Sequence, residues 1–384
     1  MLDLHFKRPE FAQDLAHRML GRSVLATNTL FMGAPRRTGK STFLQHELKP
    51  ELEGRGALVL YVDLWKEKLR DPAELIGFTV ANALARQQGA IAKAAQAVGL
   101  AEVSIHGVSF RLDAVGKVPG ATLADALDEL QGKADRPVVL IVDEAQHAIT
   151  SVRAMDMMFS LKSARDTMNK PGLTQLGLVM SGSDRDKLLR LVHGNASPFM
   201  GSQINELPVL DQAYTDHIAG LLAVERPDLR IDNARTYAAF ERFNHRPEFF
   251  IDGIKAITGA FTDPARFNDL LDEEAERYVQ NLRGSYATTY EGLSKLQRAV
   301  LTRVLSHSRD GKLFTQDALT QYSKAHGRKV QAGTARTAVE KLREMEPPVI
   351  WKSARGDYAP EDSGMRAWYE DMVKAGTWPP EGWV

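Results

Sequence analysis

Apolar and polar positions alternate in two different ways along the chain, and the change comes near residue 208. Before it, short apolar runs of strand length are separated by stretches with helical periodicity. The apolar runs occupy residues 29–32, 57–63, 137–144 and 175–180. Because a strand buried on both faces reads as a continuous apolar run, this pattern predicts a parallel sheet with helices on both faces.

The segments between these runs complete the predicted first region. Helical periodicity covers residues 8–20, 40–44, 73–98, 123–130 and 155–168. Residues 103–105 and 108–112 instead alternate with period two, and the phase breaks at Gly107. This break predicts a strand pair, or a bulged strand, inserted in the α/β core.

The pattern after residue 208 is helical in its first part. Residues 211–282 show only helical periodicity, which predicts a helical lid or a small second domain. After Gly284 the pattern predicts helices at 293–305, 315–325 and 334–345, then short strands at 349–351 and 358–359. Three helices followed by a hairpin are typical of a winged-helix-like module.

We therefore predict an α/β core at residues 1–208, a helical lid at 209–284, and a winged-helix-like domain with a tryptophan-rich tail at 285–384. Four tryptophans lie in the last 34 residues, at Trp351, Trp368, Trp378 and Trp383. We expect them to pack the tail back on the body of the protein, and a docking site is the alternative.

Composition narrows the classes of protein. The 384 residues carry 49 Lys plus Arg and 49 Asp plus Glu, so any basic surface must be local. The absence of cysteine excludes disulfides, thiol catalysis and cysteine-ligated zinc. The N-terminus lacks the apolar core of a signal peptide, and no apolar run approaches the roughly 20 residues that cross a bilayer. We expect a cytoplasmic protein without a membrane partner.

The segment GAPRRTGKST, residues 33–42, follows the first apolar run and carries the clearest chemistry. The pattern G-x-x-x-x-G-K-[ST] leads from a strand into a helix, so that backbone N–H groups and the helix N-terminus face one anion. Lys40 is expected to reach the β- and γ-phosphates of ATP, and Ser41 to hold Mg²⁺. The predicted nucleotide-binding residues are Ala34, Pro35, Arg36, Arg37, Thr38, Gly39, Lys40, Ser41 and Thr42.

One position of this segment departs from the pattern. The first glycine of the motif falls on Ala34, with Gly33 one place too early. An alanine at positive φ costs roughly 1–2 kcal/mol. Either the turn avoids that conformation here, or the loop starts one residue sooner.

An acidic pair, Asp143 and Glu144, ends the third apolar run. We expect this run to form a strand that can lie beside the P-loop strand, with both acids at its carboxyl end, where open α/β sheets bind ligands. Asp143 would hold Mg²⁺ through its water shell, and Glu144 would polarise the attacking water. The alternative is a strand that merely ends in two surface acids. Gln146 and His147 follow, either to position water or as surface residues.

The fourth apolar run ends in Ser181-Gly182-Ser183-Asp184. Ser181 is the first choice for a side chain that senses the γ-phosphate, and Ser183 is the second. Ser183 or Asp184 could instead cap the next helix.

Together, residues 35–41, the Asp143-Glu144-Ala145 strand end and the stretch SPFMG at 197–201 resemble the archaeal-type ATPases. That family belongs to the STAND and origin-recognition-like side of the AAA+ P-loop class. The resemblance implies a P-loop core, a helical lid, a C-terminal winged-helix-like domain, and ATP and Mg²⁺ as ligands. It also implies an active site that commonly borrows a residue from a neighbouring copy or partner.

The resemblance breaks at a catalytic position. Family members carry an arginine after the SPFMG-type stretch, where this chain has Ser202. Because arginine fingers contribute about 10³ to 10⁵ in rate, hydrolysis is expected to be slow unless Arg185, Arg190 or a partner protein supplies the cation. In the lid, the family's glycine-x-proline sensor corresponds to residues 244–247, so Arg246 is predicted to reach the triphosphate. A solvent-facing arginine before a helix-starting proline is the alternative.

The C-terminal module is basic. Residues 290–360 hold 13 Lys plus Arg against 7 Asp plus Glu, a net charge of +6. The basic residues singled out are Lys324, Arg328, Lys329, Arg336, Lys341, Arg343, Lys352 and Arg355. A winged helix places such residues against DNA phosphates, whereas a protein-interaction or autoinhibitory surface is the opposing interpretation.

These observations predict an ATPase with slow, switch-like hydrolysis coupled to conformational change or assembly. A DNA-binding ATPase of the replication-initiator or transposition-helper type is the first alternative. A scaffold that binds ATP without hydrolysing it is the second. A homo-oligomer or a protein partner that supplies an arginine is compatible with each of them.

Overall fold

The computed structural model of the chain describes residues 4–21, 26–67, 70–88, 102–105, 108–111, 122–193, 197–259, 263–307, 312–352 and 358–380. It divides into two compact units. One unit is Lys7–Pro208, and the other combines Met1–Phe6 with Val209–Val384. The further division of the second unit into a lid and a winged-helix-like domain stays a prediction.

A five-stranded parallel sheet forms the centre of the Lys7–Pro208 unit, as the apolar runs predict. Its strands are β1 (Thr29–Gly33), β2 (Leu58–Asp63), β5 (Val138–Asp143), β6 (Leu176–Gly182) and β7 (Ile204–Glu206). Strands β5 and β6 are buried along their whole length. The predicted α/β P-loop fold class is therefore confirmed.

The order of the strands, β2-β5-β6-β1-β7, corrects one expectation. The acidic strand β5 does not lie beside the P-loop strand β1, because β6 pairs with both and separates them. Apolar runs report that strands are buried but not which strands are neighbours. The three-residue strand β7 has no apolar run and was not predicted.

Helices cover the sheet and frame the P-loop. Helices α1 to α7 span Pro9–Met19, Lys40–Phe43, Lys49–Gly54, Pro72–Gln88, Leu123–Ala134, Val152–Met168 and Arg185–Val192. Between α2 and α3 the chain forms one wide π turn, Leu44–Leu48. Pro50 explains this turn, because proline has no N–H for the carbonyl four residues earlier and its ring crowds that carbonyl. The 3₁₀ turn Ala145–Thr150 joins β5 to α6.

The predicted strand pair exists as an antiparallel hairpin of β3 (Glu102–Ile105) and β4 (Val108–Arg111). Gly107, where the sequence phase breaks, lies outside the described residues. The same is true of residues 89–98 of the predicted helix 73–98.

Within residues 209–284, the part that the structure describes contains helices and no strand, as predicted. Helices α8 to α11 span Gln212–Glu225, Asn233–Arg242, Pro247–Ile257 and Phe267–Gly292, with a 3₁₀ turn at Pro264–Arg266. Helix α11 has 26 residues and runs through Gly284, where the sequence pattern changes. Its Phe267 and Leu271 belong to one apolar cluster, and its Tyr286 and Tyr290 to another. One helix thus serves two adjacent cores.

The second of these cores contains three helices and a hairpin, in agreement with the pattern. Helices α12 (Lys295–Ser306), α13 (Gln316–His326) and α14 (Ala332–Arg343) precede the antiparallel strands β8 (Ile350–Lys352) and β9 (Tyr358–Pro360). A final helix, α15 (Ser363–Lys374), was not predicted. No described helix in either unit combines the length and apolarity that a membrane span requires.

Two tryptophans of the tail, Trp368 and Trp378, pack inward, as expected. Trp368 is buried in the second core, and Trp378 packs edge-on against Tyr290 and Trp368, with ring centroids 4.8 and 5.4 Å apart. Trp383, like Arg355 of the basic set, lies outside the described residues.

Candidate functional site

The P-loop leaves strand β1 at Gly33 and enters helix α2 at Lys40. Ala34 does not adopt a positive φ, so the strain considered for this position does not arise. The left-handed residues are instead Arg37, with φ 67°, and Gly39, with φ 84°. The Ala34 N–H donates to the carbonyl of Gly182, 3.2 Å away, and so ties the loop to β6.

Lys40 is the centre of the site. Its side chain is 5% exposed, and Nζ donates to Asp143 Oδ1 at 2.5 Å, to Glu144 Oε1 at 2.9 Å and to Ser181 Oγ at 3.3 Å. The carboxyl ends of β5 and β6 bring these three acceptors together. The structure therefore joins four of the predicted site residues around one ammonium group.

Asp143 is fully buried and accepts from four side chains, Lys40, Ser41, Ser181 and Tyr61. The Ser41 hydroxyl donates to Oδ2 at 2.5 Å. Burial opposes ionisation, but the charge of Lys40 and the hydrogen bonds that reach the carboxylate lower the pKa of Asp143 to about 2. An ionised carboxylate beside a serine hydroxyl is the hard oxygen set that Mg²⁺ prefers, so these residues fit that ion. Such burial excludes the interpretation of Asp143 as a surface acid.

Glu144 sits in a left-handed conformation, φ 55°, directly after β5. Its Oε1 accepts from Lys40, and its Oε2 accepts from Ser183 Oγ at 2.8 Å and from Gln146 Nε2. Burial raises the pKa of Glu144, but Lys40 and these hydrogen bonds outweigh it and lower the pKa below its usual value. The side chain is therefore an ionised carboxylate that three hydrogen bonds hold in place.

The polar residues at the end of β6 and just after it make different contacts. Ser181 is fully buried and contacts Lys40 and Asp143, whereas Ser183 donates to Glu144. The cap of helix α7 is Asp184, which accepts from the backbone N–H of Lys187 at 3.0 Å. The capping interpretation thus holds for Asp184, and sensing by Ser181 stays a prediction.

Tyr61 is part of the site and was not predicted. Its hydroxyl donates to Asp143 Oδ2 at 2.8 Å and accepts from Gln45 Nε2 at 2.9 Å. Burial, together with the negative charge of Asp143, raises the pKa of Tyr61. The only sequence signal was a hydroxyl inside the apolar run of β2, two residues before its carboxyl end.

Arg8, just before α1, is a second residue that sequence reasoning missed. Its Nη2 donates to the buried Glu47 at 3.2 Å, and its guanidinium lies over the Phe43 ring, 4.9 Å from the centroid. Nη2 is also 4.0 Å from the point where a Cβ on Gly39 would lie. Nε and Nη1 are buried, with no hydrogen-bond partner among the described residues. The burial of Glu47, in the π turn after α2, is visible only in the structure, so no sequence pattern indicated this pair.

No protein-family model and no curated protein matches this sequence. Solved structures do match it over nearly its whole length. A Walker-type ATPase of Pyrococcus abyssi has a TM-score of 0.54 and 16% identity, over 96% of this chain and 99% of that chain. The ORC2 protein of Aeropyrum pernix, in its ADP form, has a TM-score of 0.57 and 14% identity, over 98% of this chain and 95% of that chain.

The chain has the fold of the origin-recognition-like P-loop ATPases. The resemblance that the sequence motifs indicate is therefore confirmed at the level of the fold. At these identities the likeness carries no residue roles.

The SPFMG stretch of this fold is anchored by Phe199, which is 2% exposed and packs edge-on against Phe31 at 5.4 Å. Gly201, with φ 90°, then turns the chain, and the Ser202 N–H donates to the Phe199 carbonyl at 3.1 Å. Ser202 thus occupies the end of a tight turn. Arg185, which was considered as a source of the missing catalytic cation, pairs instead with Glu206 at 2.5 Å.

Arg246 belongs to the second unit and is not solvent-facing. Its side chain is 18% exposed, and Nη2 donates to Asp362 at 2.9 Å. Asp362 also caps helix α15 through the N–H of Gly364. The predicted contact of Arg246 with a triphosphate stays a prediction.

Proposed function

We propose that this protein binds ATP with Mg²⁺ at the P-loop and hydrolyses it slowly, as a nucleotide-driven switch. One observation carries the proposal: the Lys40 ammonium and the Ser41 hydroxyl both contact the buried carboxylate of Asp143, each at 2.5 Å. These residues come from two distant segments of the sequence. Together they offer a cation for a phosphate group and oxygen ligands for Mg²⁺. The Aeropyrum pernix ORC2 protein, which shares the fold, was solved in an ADP form.

Each residue has a separate role in this mechanism. The P-loop N–H groups and Lys40 would bind the β- and γ-phosphates, and Ser41 with Asp143 would hold Mg²⁺. Bound Mg²⁺ would supply positive charge to the phosphates. Glu144 accepts a proton from the attacking water, and Ser183 and Gln146 orient its carboxylate. Ser181 lies where the γ-phosphate is expected to be sensed.

Binding has to change the partners of Lys40. The ammonium contacts both Asp143 and Glu144, so one oxygen of Glu144 accepts from Lys40 and the other from Ser183 and Gln146. A triphosphate that draws Lys40 away would release Oε1 of Glu144 for water. This exchange makes Glu144 available as a base only when nucleotide is present.

Arg8 supplies a further contact in this proposal. Its Nε and Nη1 are buried and have no partner among the described residues, and its Nη2 lies 4.0 Å from the Cβ position of Gly39 in the P-loop. A buried guanidinium with unsatisfied donors is costly, and an anionic ligand would satisfy them. We therefore include Arg8 among the nucleotide-binding residues.

The turnover rate of Glu144→Gln tests this proposal against an ATP-dependent scaffold. Glutamine keeps the shape but cannot take a proton, so we expect multiple-turnover hydrolysis to fall about 10²-fold or more while ATP affinity is retained. Phosphate release and ATP binding are measured on both proteins. Glu53→Gln, on the exposed face of α3, is the control and should behave as wild type. Unchanged turnover in Glu144→Gln would contradict the assigned role.

A DNA-binding ATPase is the second candidate function, favoured by one observation. Lys324, Arg328 and Lys329 are all exposed around the turn between α13 and α14, within the segment of net charge +6. Such a cluster on a helical module suits phosphate contacts. The neighbouring helix α14 is less basic than its sequence indicates, since Arg343 pairs with Glu340 at 2.6 Å.

A further inference from the structure

An exposed aromatic stack lies at the carboxyl edge of the sheet. The ring of Trp65, in the turn after β2, stacks on His147 with centroids 4.3 Å apart and planes at 31°. The guanidinium carbon of Arg36, in the P-loop, lies over the Trp65 ring, 5.8 Å from its centroid. Trp65 is 40% exposed, so core packing does not explain its position. Three separate segments thus meet at the Trp65 ring.

This stack adjoins the catalytic side of the site. His147 is the third residue after Glu144, and both belong to the turn that follows β5. Burial lowers the pKa of His147, and the charge of Arg36 acts in the same direction, while Glu144 opposes it. The imidazole is therefore neutral at pH 7 and does not repel the guanidinium.

The charge of Arg36 is not neutralised by an ion pair within the part of the chain that the structure describes. Its side chain is exposed, and among the residues that the structure describes no carboxylate pairs with it. Other arginines of the same unit are engaged, Arg185 with Glu206 and Arg165 with Asp166. Arg36 also lies between Ala34 and Lys40, on the turn that surrounds the terminal phosphates in a P-loop.

We propose that Arg36 is a catalytic residue that supplies, from the same chain, the cation missing at Ser202, and that Trp65 and His147 form the platform that positions it. The proposal rests on the ATPase function proposed above. A water oxygen bonds to the γ-phosphorus while the bond to the β,γ-bridging oxygen breaks. The bridging electron pair leaves with ADP, and the proton of the water passes to Glu144. The guanidinium stabilises the charge that spreads over the transferred phosphoryl group.

The experiment compares Arg36→Ala with Arg86→Ala, an exposed arginine of α4 in the same unit. Three quantities are measured: ATP affinity in Mg²⁺, the single-turnover rate, and retention of ADP with fluoroaluminate, which mimics the transferred phosphoryl group. We expect Arg36→Ala to lower the rate at least about 100-fold and to abolish fluoroaluminate retention, with ATP affinity within about threefold of wild type. Arg86→Ala should leave all three unchanged.

Two further variants separate charge from position. Arg36→Lys keeps the charge without the planar fork and should give an intermediate rate. Trp65→Ala should lower the rate and fluoroaluminate retention without weakening ATP binding, and Trp65→Phe should restore both, because a phenyl ring preserves the platform. If Trp65 were only structural, Trp65→Ala and Trp65→Phe should both have a lower unfolding temperature than wild type.

Three results would overturn the proposal. Arg36→Ala with the wild-type rate would remove the residue from catalysis, and an equal loss in ATP affinity and rate would make it a binding residue only. A wild-type protein that binds ATP but never turns it over would also overturn it, with ATP binding itself left standing. If Lys40→Ala bound ATP as tightly as wild type, the underlying ATPase function would fail as well.

Discussion

At the scale of single residues, Lys40 holds the site together. Its ammonium bridges Asp143 and Glu144, two carboxylates that would otherwise repel each other in a buried setting. Removing one member of such a cluster leaves an uncompensated buried charge. The same contacts that prepare the site for a nucleotide therefore contribute to folding stability.

Stability should fall at acid pH partly because of Asp143. Its pKa is 3.8 in the reference state and about 2 in the folded protein, so its contribution is full above pH 3.8 and is lost as the pH falls towards 2. Glu144 shifts in the same direction. For Asp143 alone we expect a loss of about 1 kcal/mol between pH 5 and pH 3.

Urea unfolding of wild type and Asp143→Asn at these two pH values measures this loss. The variant lacks the titrating carboxyl group, so its free energy of unfolding should depend on pH less steeply than that of wild type. Equal pH dependence in the two proteins would show that the Asp143 carboxylate is not stabilised as described. Asp156→Asn, at an exposed position of α6 outside the site, serves as the control.

The residues predicted from sequence were those whose chemistry is local. Gly39, Lys40 and Ser41 are consecutive, and Asp143 with Glu144 ends an apolar run, so each group is visible in a short window. Tyr61 and Arg8 were missed because their contacts depend on which segments meet in three dimensions. Neither a tyrosine within a strand nor an arginine before a helix indicates a nucleotide site by itself.

At the scale of elements, strand order decides the geometry of the site. Because β6 lies between β1 and β5, Ser181 is placed between the P-loop and the acidic pair. Apolar runs predicted four of the five strands but not their order, because a buried strand can pair with any other strand of the sheet. Helix α11 continues through Gly284 although glycine costs about 1 kcal/mol in a helix, and packing of Tyr286 and Tyr290 offsets that cost.

The turn between α13 and α14 is the element on which DNA binding would depend. If it contacts phosphates, a mobility shift of duplex DNA in the presence of ATP should weaken steeply with salt. Lys324→Glu, Arg328→Glu and Lys329→Glu, combined in one variant, should reduce the slope of log affinity against log salt by about 3. Lys255→Glu, an exposed residue of α10, is the control. A shift that is absent, or insensitive to salt, would favour a protein-interaction surface instead.

At the scale of the whole molecule, the nucleotide site and the basic module belong to different compact units. The P-loop, the acidic pair, Tyr61 and Arg8 lie in Lys7–Pro208, whereas Arg246 and the basic turn lie in the other unit. Sequence pattern predicted both the α/β region and the helical region, since each has its own periodicity. The ion pair of Arg246 with Asp362 could not be predicted from this pattern, because it joins residues 116 positions apart.

The central claim is that the P-loop binds ATP through Lys40. Calorimetric titration of ATP with Mg²⁺ into wild type, Lys40→Ala and Lys49→Ala tests it most directly, with thermal unfolding run on each to establish that the variants fold. Lys49 lies one helical segment further on and is 35% exposed, so its variant should bind as wild type does. The account predicts that Lys40→Ala weakens ATP binding at least about 100-fold, or about 2.7 kcal/mol. A folded Lys40→Ala protein that binds ATP with wild-type affinity would contradict it.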